Sequence, residues 1–244
     1  MTNTKVYIHE FIDIIGHNRA RYMQHMTANW SPNAQEDRNQ KCYGVWATLG
    51  STGRWPEVVN LWEHDSWDEL SASFGVEAVG KGAQDPKLAK WWAAAADLRR
   101  GGVDRLLEPT PWSPTIDELC AAGVSGECYA HEIIKLKGRG ASEVCELMRH
   151  QAVPLAARHD WTLVGAWKTA MANDDECILL WAIPTWAKWG SFEAAQSHDP
   201  EVRAWRDGLD MVQSWQRIVL VAAPLSPLRT GRQPAREDRI DWEE

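Results

Sequence analysis

Val6-Tyr7-Ile8-His9-Glu10-Phe11 and Cys128-Tyr129-Ala130-His131-Glu132-Ile133 are two versions of one segment, and the rest of the chain can be placed by working outward from them. The same landmarks follow each in the same order. Tyr43-Gly44-Val45-Trp46 returns as Val164-Gly165-Ala166-Trp167, Leu61-Trp62 as Leu180-Trp181, Trp67 as Trp186, Asp85-Pro86 as Asp199-Pro200, and Trp91 as Trp205. Pro111-Trp112-Ser113-Pro114 closes the first series and Pro224-Leu225-Ser226-Pro227 the second. A supersecondary unit used in tandem produces such a pattern.

Residues 5–12 carry β-branched and aromatic side chains and read as a strand. An amphipathic helix follows from Gly16 to Trp30, with Ala20, Met23, Met26 and Trp30 at helical spacing. Ser31-Pro32-Asn33 is expected to stop it and 33–40 to be a loop. Two strands, 42–49 and 57–64, flank a hairpin connection containing Gly50 and Gly53. Ser66 with Glu69 three residues on is a capping box, and Asp85-Pro86 opens a helix expected to end at Gly101-Gly102. A short strand from Val103 to Leu107 completes β-α-β-β-α-β, the ferredoxin-like plan.

The second copy predicts strands near 128–135, 162–169, 176–183 and 217–222, and helices near 140–158 and 185–214, with Pro154 kinking or splitting the first helix. The division is a first repeat at 1–112, a linker at 113–126, a second repeat at 127–227, and a charged tail at 228–244 without periodicity. Each four-stranded sheet has one face covered by its own helices. The other face must be buried, and its twin supplies the partner. The expected fold is α+β, with two tandem repeats packed sheet to sheet as a pseudo-two-fold barrel.

A formal charge of −8 argues against nucleic acid or an anionic membrane as partner. The N-terminus leads into the first strand without an apolar signal core, and no window approaches about 20 apolar residues, so a cytoplasmic protein is expected. Cys42, Cys120, Cys128, Cys145 and Cys177 are scattered without CxxC spacing, which indicates neither a disulfide framework nor a metal centre. Tryptophan is abundant, 16 residues against 3 Phe and 4 Tyr. Indole buries a large area while keeping one N–H donor, which suits a core and equally a pocket for a flat apolar ligand.

The paired Tyr-containing strands with their following glycines (Tyr7 with Gly16, Tyr129 with Gly138), the Gly-x-Trp strands, the Leu-Trp strand ends and the Asp-Pro helix starts resemble the NIPSNAP family of the dimeric α/β barrel superfamily. The resemblance covers roughly residues 5–112 and 127–227. It implies a dimeric α/β barrel closed within one chain. Haem proteins such as chlorite dismutase, cofactor-free monooxygenases, and isomerases or lyases of aromatic catabolism share that superfamily, so activity has to be argued from the site.

Strand alternation sends His9 and Glu10 to opposite faces, and likewise His131 and Glu132. His9 and His131 fall in equivalent positions of the barrel and are candidate acid-base groups, or hydrogen-bonded structural ones. Trp62-Glu63-His64-Asp65 is the richest polar cluster, whereas its counterpart Trp181-Ala182-Ile183-Pro184 has no titratable group. The expected enzyme moves protons with His9, His131, Glu10, Glu63 and His64. Its substrate is a small apolar or aromatic molecule inside a barrel lined by Tyr7, Tyr129, Trp46, Trp62, Trp167 and Trp181. No cofactor is required by that reading. The alternatives are a haem protein, with His150 or His159 as axial ligand, and a binding module whose indoles fill the barrel. Internal pairing leaves the outer helices free to form a homodimer.

Overall fold

The computed structural model describes residues 2–171 and 174–239. Its eight strands are β1 (Val6–Ile14), β2 (Gln40–Thr48), β3 (Glu57–His64), β4 (Arg99–Pro109), β5 (Cys128–Leu136), β6 (Thr162–Thr169), β7 (Glu176–Ile183) and β8 (Val212–Ala222). They close into a barrel in the order β1-β3-β2-β8-β5-β7-β6-β4. Each repeat contributes one four-stranded sheet, and the two face each other across the interior. Their edges also join, β2 to β8 through Trp46↔Ala222 to Thr48↔Leu220 and β4 to β6 through Leu107↔Thr169 to Pro109↔Trp167. Closure removes the free edges that an isolated four-stranded sheet would expose.

The helices are α1 (Arg19–Gln24), α2 (Ser31–Arg38), α3 (Trp67–Glu77), α4 (Pro86–Ala96), α5 (Ile116–Ala121), α6 (Ala141–Leu147), α7 (Val153–Ala157), α8 (Trp186–His198), α9 (Pro200–Asp207) and α10 (Pro227–Thr230). As expected, Ser66 caps α3 by accepting from Glu69 N, and Asp85 caps α4 through Lys87 N and Leu88 N.

Four local expectations are corrected. Residues 33–40 are not a loop: Pro32 lies at the start of α2, which continues directly from the helical turn before it. A π-helical turn, His25–Trp30, precedes it, and the wider turn accommodates the proline ring. Pro154 repeats the device, with Met148–Ala152 as the π turn between α6 and α7. Gly101-Gly102 does not end a helix but lies within β4, since a Cβ at Gly102 would stand 2.0 Å from Phe11 O of β1. The expected helix at 185–214 is α8 plus α9, divided where Asp199 caps α9, and β8 begins earlier than expected at Val212. The linker holds α5, opened by a Thr115/Glu118 capping box.

The described part of the tail is ordered against the first repeat. Beyond its three pairs with β8, β2 has an unpaired margin, and the Gln233 amide fills it by accepting from Cys42 N at 2.9 Å and donating to Cys42 O at 2.8 Å. Arg236 pairs with Glu36 on α2. Residues 240–244 lie outside the described residues.

The Gly-x-Trp strands set the barrel interior. Residues two apart on a strand share a face, and the rings of Trp46 and Trp167 fold back over Gly44 and Gly165. A Cβ on those glycines would meet the rings at 2.0 and 2.2 Å. Both indoles are fully buried. Trp167 makes edge contacts with Tyr7 and Tyr43 at 5.6 and 5.7 Å, and Trp46 with Tyr129 at 5.9 Å. The chamber expected inside the barrel is therefore occupied by aromatic side chains. Gly165→Ala should lower stability by about 1–3 kcal/mol, as overpacking of a filled core does, read as a fall in the unfolding midpoint.

Candidate functional site in the first repeat

Alternation along β1 points Ile8, Glu10 and Ile12 away from the barrel interior, towards the helices of the first repeat. There a cavity of about 520 Å³ lies between the sheet and the helices, with Tyr22, Met26, Trp30, Trp62, Trp91 and Trp92 among its walls. Glu10 and Asp104 line it too, and the β1/β4 register sets them directly opposite one another.

Trp62 Nε1 and Asn60 Nδ2 each donate to Glu10 Oε2 at 2.8 Å. Asn60 Nδ2 also donates to Tyr22 Oη at 3.0 Å. Glu10 Oε1 makes no hydrogen bond to the described residues. Burial first, and then the Asp104 carboxylate, push the Glu10 carboxyl above its usual range, with Trp62, Asn60 and Arg99 pulling the other way. Burial raises Asp104 as well. The cavity thus holds a positioned carboxyl group of raised basicity beside indole walls.

The second repeat builds the same floor and then plugs it. Trp181 Nε1 donates to Glu132 Oε2 at 2.8 Å, as Trp62 does to Glu10. Opposite Glu132, however, β8 carries Arg217 where β4 carries Asp104. Arg217 donates through Nε to Glu132 Oε1 at 2.8 Å and through Nη1 to Glu193 at 3.0 Å. Its guanidinium lies over Trp161, Phe192 and Trp215 at 5.5, 5.3 and 5.9 Å. Asn60 also has no polar twin, since Leu179 pairs with Glu132 as Asn60 pairs with Glu10. An outer hollow remains beside Arg217, but neither Glu132 nor Trp181 lines it.

The sequence-derived candidates fall into separate places. His9 and His131 point inward and meet on the pseudo-two-fold axis, Nε2 to Nε2 at 2.8 Å, at 1% and 3% exposure. One ring must donate while the other offers its lone pair. Burial, then the His131 ring and Arg105, holds His9 well below the usual imidazole range, and burial and Arg105 push His131 down to about 3. Glu63 lies inside the closed end of the barrel, accepting from Tyr7 Oη and Ile116 N at 3.0 Å each, where it ties α5 to β3. His64 is buried on the helix side near Arg38, both ring nitrogens unpartnered, and burial pushes it down to about 4.

Of the expected aromatic lining, Tyr7, Tyr129, Trp46 and Trp167 pack the interior, while Trp62 and Trp181 lie on the outer faces. The β-sheet separates Glu10 from His9, His131 and Glu63, so these groups cannot act together on one bound molecule. Asp104, Tyr22 and Asn60 were not singled out from sequence. The Asp104/Arg217 exchange would have been found by carrying the comparison of repeats into their fourth strands.

No protein-family model and no curated protein matches the sequence. Solved structures do. A candidate monooxygenase from Lactobacillus acidophilus is 9% identical with a TM-score of 0.58, over 96% of this chain and 97% of that one. A candidate chlorite dismutase is 10% identical with a TM-score of 0.50, over 93% of this chain and 98% of that one. The fold is the dimeric α/β barrel. A NIPSNAP-like domain protein from Burkholderia xenovorans, 15% identical with a TM-score of 0.38, aligns with 46% of this chain over 91% of its own. In the present dimeric α/β barrel both halves belong to one polypeptide, which is what allows its two outer sites to diverge.

A haem, the alternative raised by the sequence, does not fit the cavity of the first repeat. No histidine or cysteine lines the cavity of the first repeat, and its softest donors are the thioethers of Met26 and Met171. His150 is mostly exposed beside Glu146, and His159 packs on the edge of Phe192 at 5.0 Å. Among the described residues no group of three or more His, Cys, Asp and Glu is placed to hold a metal ion, and no helix is long and apolar enough to cross a membrane.

Proposed function

We propose that the first repeat binds a flat aromatic or apolar small molecule between its sheet and helices, and that Glu10 takes a proton from an acidified carbon or hydroxyl of that molecule. The observation that carries this reading is the contrast between the twins: Glu10 faces Asp104 in an open cavity, whereas Glu132 is neutralised by Arg217 in a plugged one. A half-buried carboxyl that no cation pairs with is poorly accounted for as a stabilising feature. A carboxyl of raised pKa is the state suited to general-base work near neutral pH.

Indole faces of Trp30, Trp62, Trp91 and Trp92 would hold a planar ring, and Tyr22 and Asn60 keep the carboxyl oriented. Proton removal next to an aromatic ketone or enol is the shared first step of the isomerase, lyase and cofactor-free oxygenase chemistries, so this reading covers that class. The names of the structural neighbours are compatible with it, at identities that speak for the fold alone.

The test uses 2-tetralone, a flat ketone with acidic C–H bonds, as probe. It is expected to quench tryptophan fluorescence saturably and to exchange its α-protons for deuterium faster with the protein than with buffer. Failure of the ketone to bind at all would sink the proposal. The filled barrel interior favours a second reading, a binding module, for which the ketone binds without accelerated exchange.

A further inference from the structure

The opposite face of β1 and β4 carries a second set of groups, of which Arg105 alone also borders the cavity over Glu10. Down the inside of the barrel, Tyr7 and Tyr129 are followed by His9 and His131, then by Phe11 and Ile133, and last by Asp13 and Lys135 at the mouth. There a cavity of about 180 Å³ has Phe11, Val103, Arg105, His131, Ile133 and Ile218 among its walls, and Arg54, Glu57 and Gln216 on its polar side. Its volume is about six water molecules' share of the liquid.

Arg105 pairs with His9 across β1 and β4, whereas the equivalent partner of His131 is Ile218, so one repeat supplies a guanidinium and the other an apolar wall. Arg105 Nε donates to Glu176 at 2.8 Å, but its Nη1 is buried without a partner. His131 Nδ1 is buried without a partner as well. An unmet charged donor out of water loses its hydration for nothing.

The neighbouring carboxylates are already engaged. Glu176 also accepts from Thr169 at 2.9 Å and has Lys135 at 3.9 Å, and Asp13 pairs with Arg54 at 2.6 Å. Glu57 accepts from Thr48 at 3.4 Å, and burial holds its carboxyl above the usual range. The site therefore has a cationic donor, a neutral ring and apolar walls, and the acceptors that also line it, Glu57 and the Gln216 amide, leave Arg105 Nη1 without a partner.

We infer that the barrel mouth binds a small monocarboxylate, its carboxylate on Arg105 Nη1 and its apolar part against Phe11, Ile133 and Ile218. A guanidinium presents paired donors that match a carboxylate. A dianion such as phosphate would bring its second charge against Glu57 and Glu176, and a halide would leave the apolar walls uncovered. The site lies across the sheet from Glu10 and stands apart from the function proposed for that residue.

The experiment is calorimetric titration of the full chain in chloride-free buffer with propionate and benzoate as probes, and with phosphate and chloride as comparisons. One-site binding of at least one carboxylate is expected, weakened tenfold or more in Arg105→Gln. Because that change also unpairs Glu176, a second variant, Val103→Trp, narrows the mouth at a position 52% exposed while leaving the guanidinium in place, and it should weaken binding comparably. Glu10→Gln should leave the affinity unchanged. The inference is overturned if neither carboxylate binds, if both mouth variants retain wild-type affinity, or if phosphate competes as well as propionate.

Discussion

Glu10→Gln is expected to slow protein-catalysed proton exchange of a bound aromatic ketone by about 10²–10⁴-fold, the usual contribution of a positioned general base. Glutamine keeps the size of the side chain and can still accept from Trp62 Nε1 and Asn60 Nδ2, so probe affinity should change little and the loss should appear in the exchange rate. Glu132→Gln is the control, because Arg217 already holds that carboxylate. Equal exchange in the wild-type and Glu10→Gln proteins would falsify the assignment.

The pH profile follows from the same group. A base works deprotonated, so exchange should rise with pH and level off only above an apparent pKa higher than the ordinary 4.5 of glutamate. The linkage to stability has a definite sign. Between the unfolded value and the raised folded value, the folded chain holds the extra proton. Stability therefore falls as pH rises through that window, by at most about 1.4 kcal/mol per pH unit for one group. Glu10→Gln should flatten that slope, which chemical denaturation across the acid range would measure.

Arg217→Ala is expected to cost about 3–5 kcal/mol, the penalty for stripping the partner from a buried ion pair. Glu132 would be left at 2% exposure with Trp181 Nε1 as its remaining hydrogen-bond partner, and the rings of Trp161, Phe192 and Trp215 would lose the cation they pack around. Replacing Asp104 by Ala on the other repeat removes a group that opposes ionisation of Glu10, and no comparable loss is expected there. The pair of denaturation midpoints checks this directly. Equal losses from the two substitutions would mean that Arg217 and Asp104 are equally structural and that the twin sites have not diverged in role.

Much of this was legible before any coordinates. The shared order of Tyr-x-His-Glu, Gly-x-Trp and Leu-Trp placed six of the eight strands, because strand periodicity and repeat spacing are local properties that the chain states twice, while the fourth strand of each repeat begins earlier than its local pattern indicates. Local signals misled where a neighbouring element set the requirement. Pro32 resembles a helix stop, but the π turn before it lets the helix continue, and Gly101-Gly102 resembles a C-cap although Gly102 is there to let β1 approach.

The candidate site was half visible. Alternation correctly parted His9 from Glu10, and the comparison of repeats pointed to asymmetry, though at Glu63 and His64 rather than at Asp104 and Arg217. Glu63 and His64 read as a reactive cluster because they adjoin in sequence, yet consecutive strand residues face opposite ways and the two share no cavity.

The sequence by itself determined the repeat, the strand faces, and the need of each sheet to hide one side, since those follow from periodicity and from apolar area that water rejects. Only the tertiary structure decided which spaces stay open. Whether a barrel is hollow or filled depends on where rings from distant strands come to rest. Trp46 and Trp167, folded over their glycines, fill the centre, while Asp104 rather than an arginine leaves the cavity over Glu10 open.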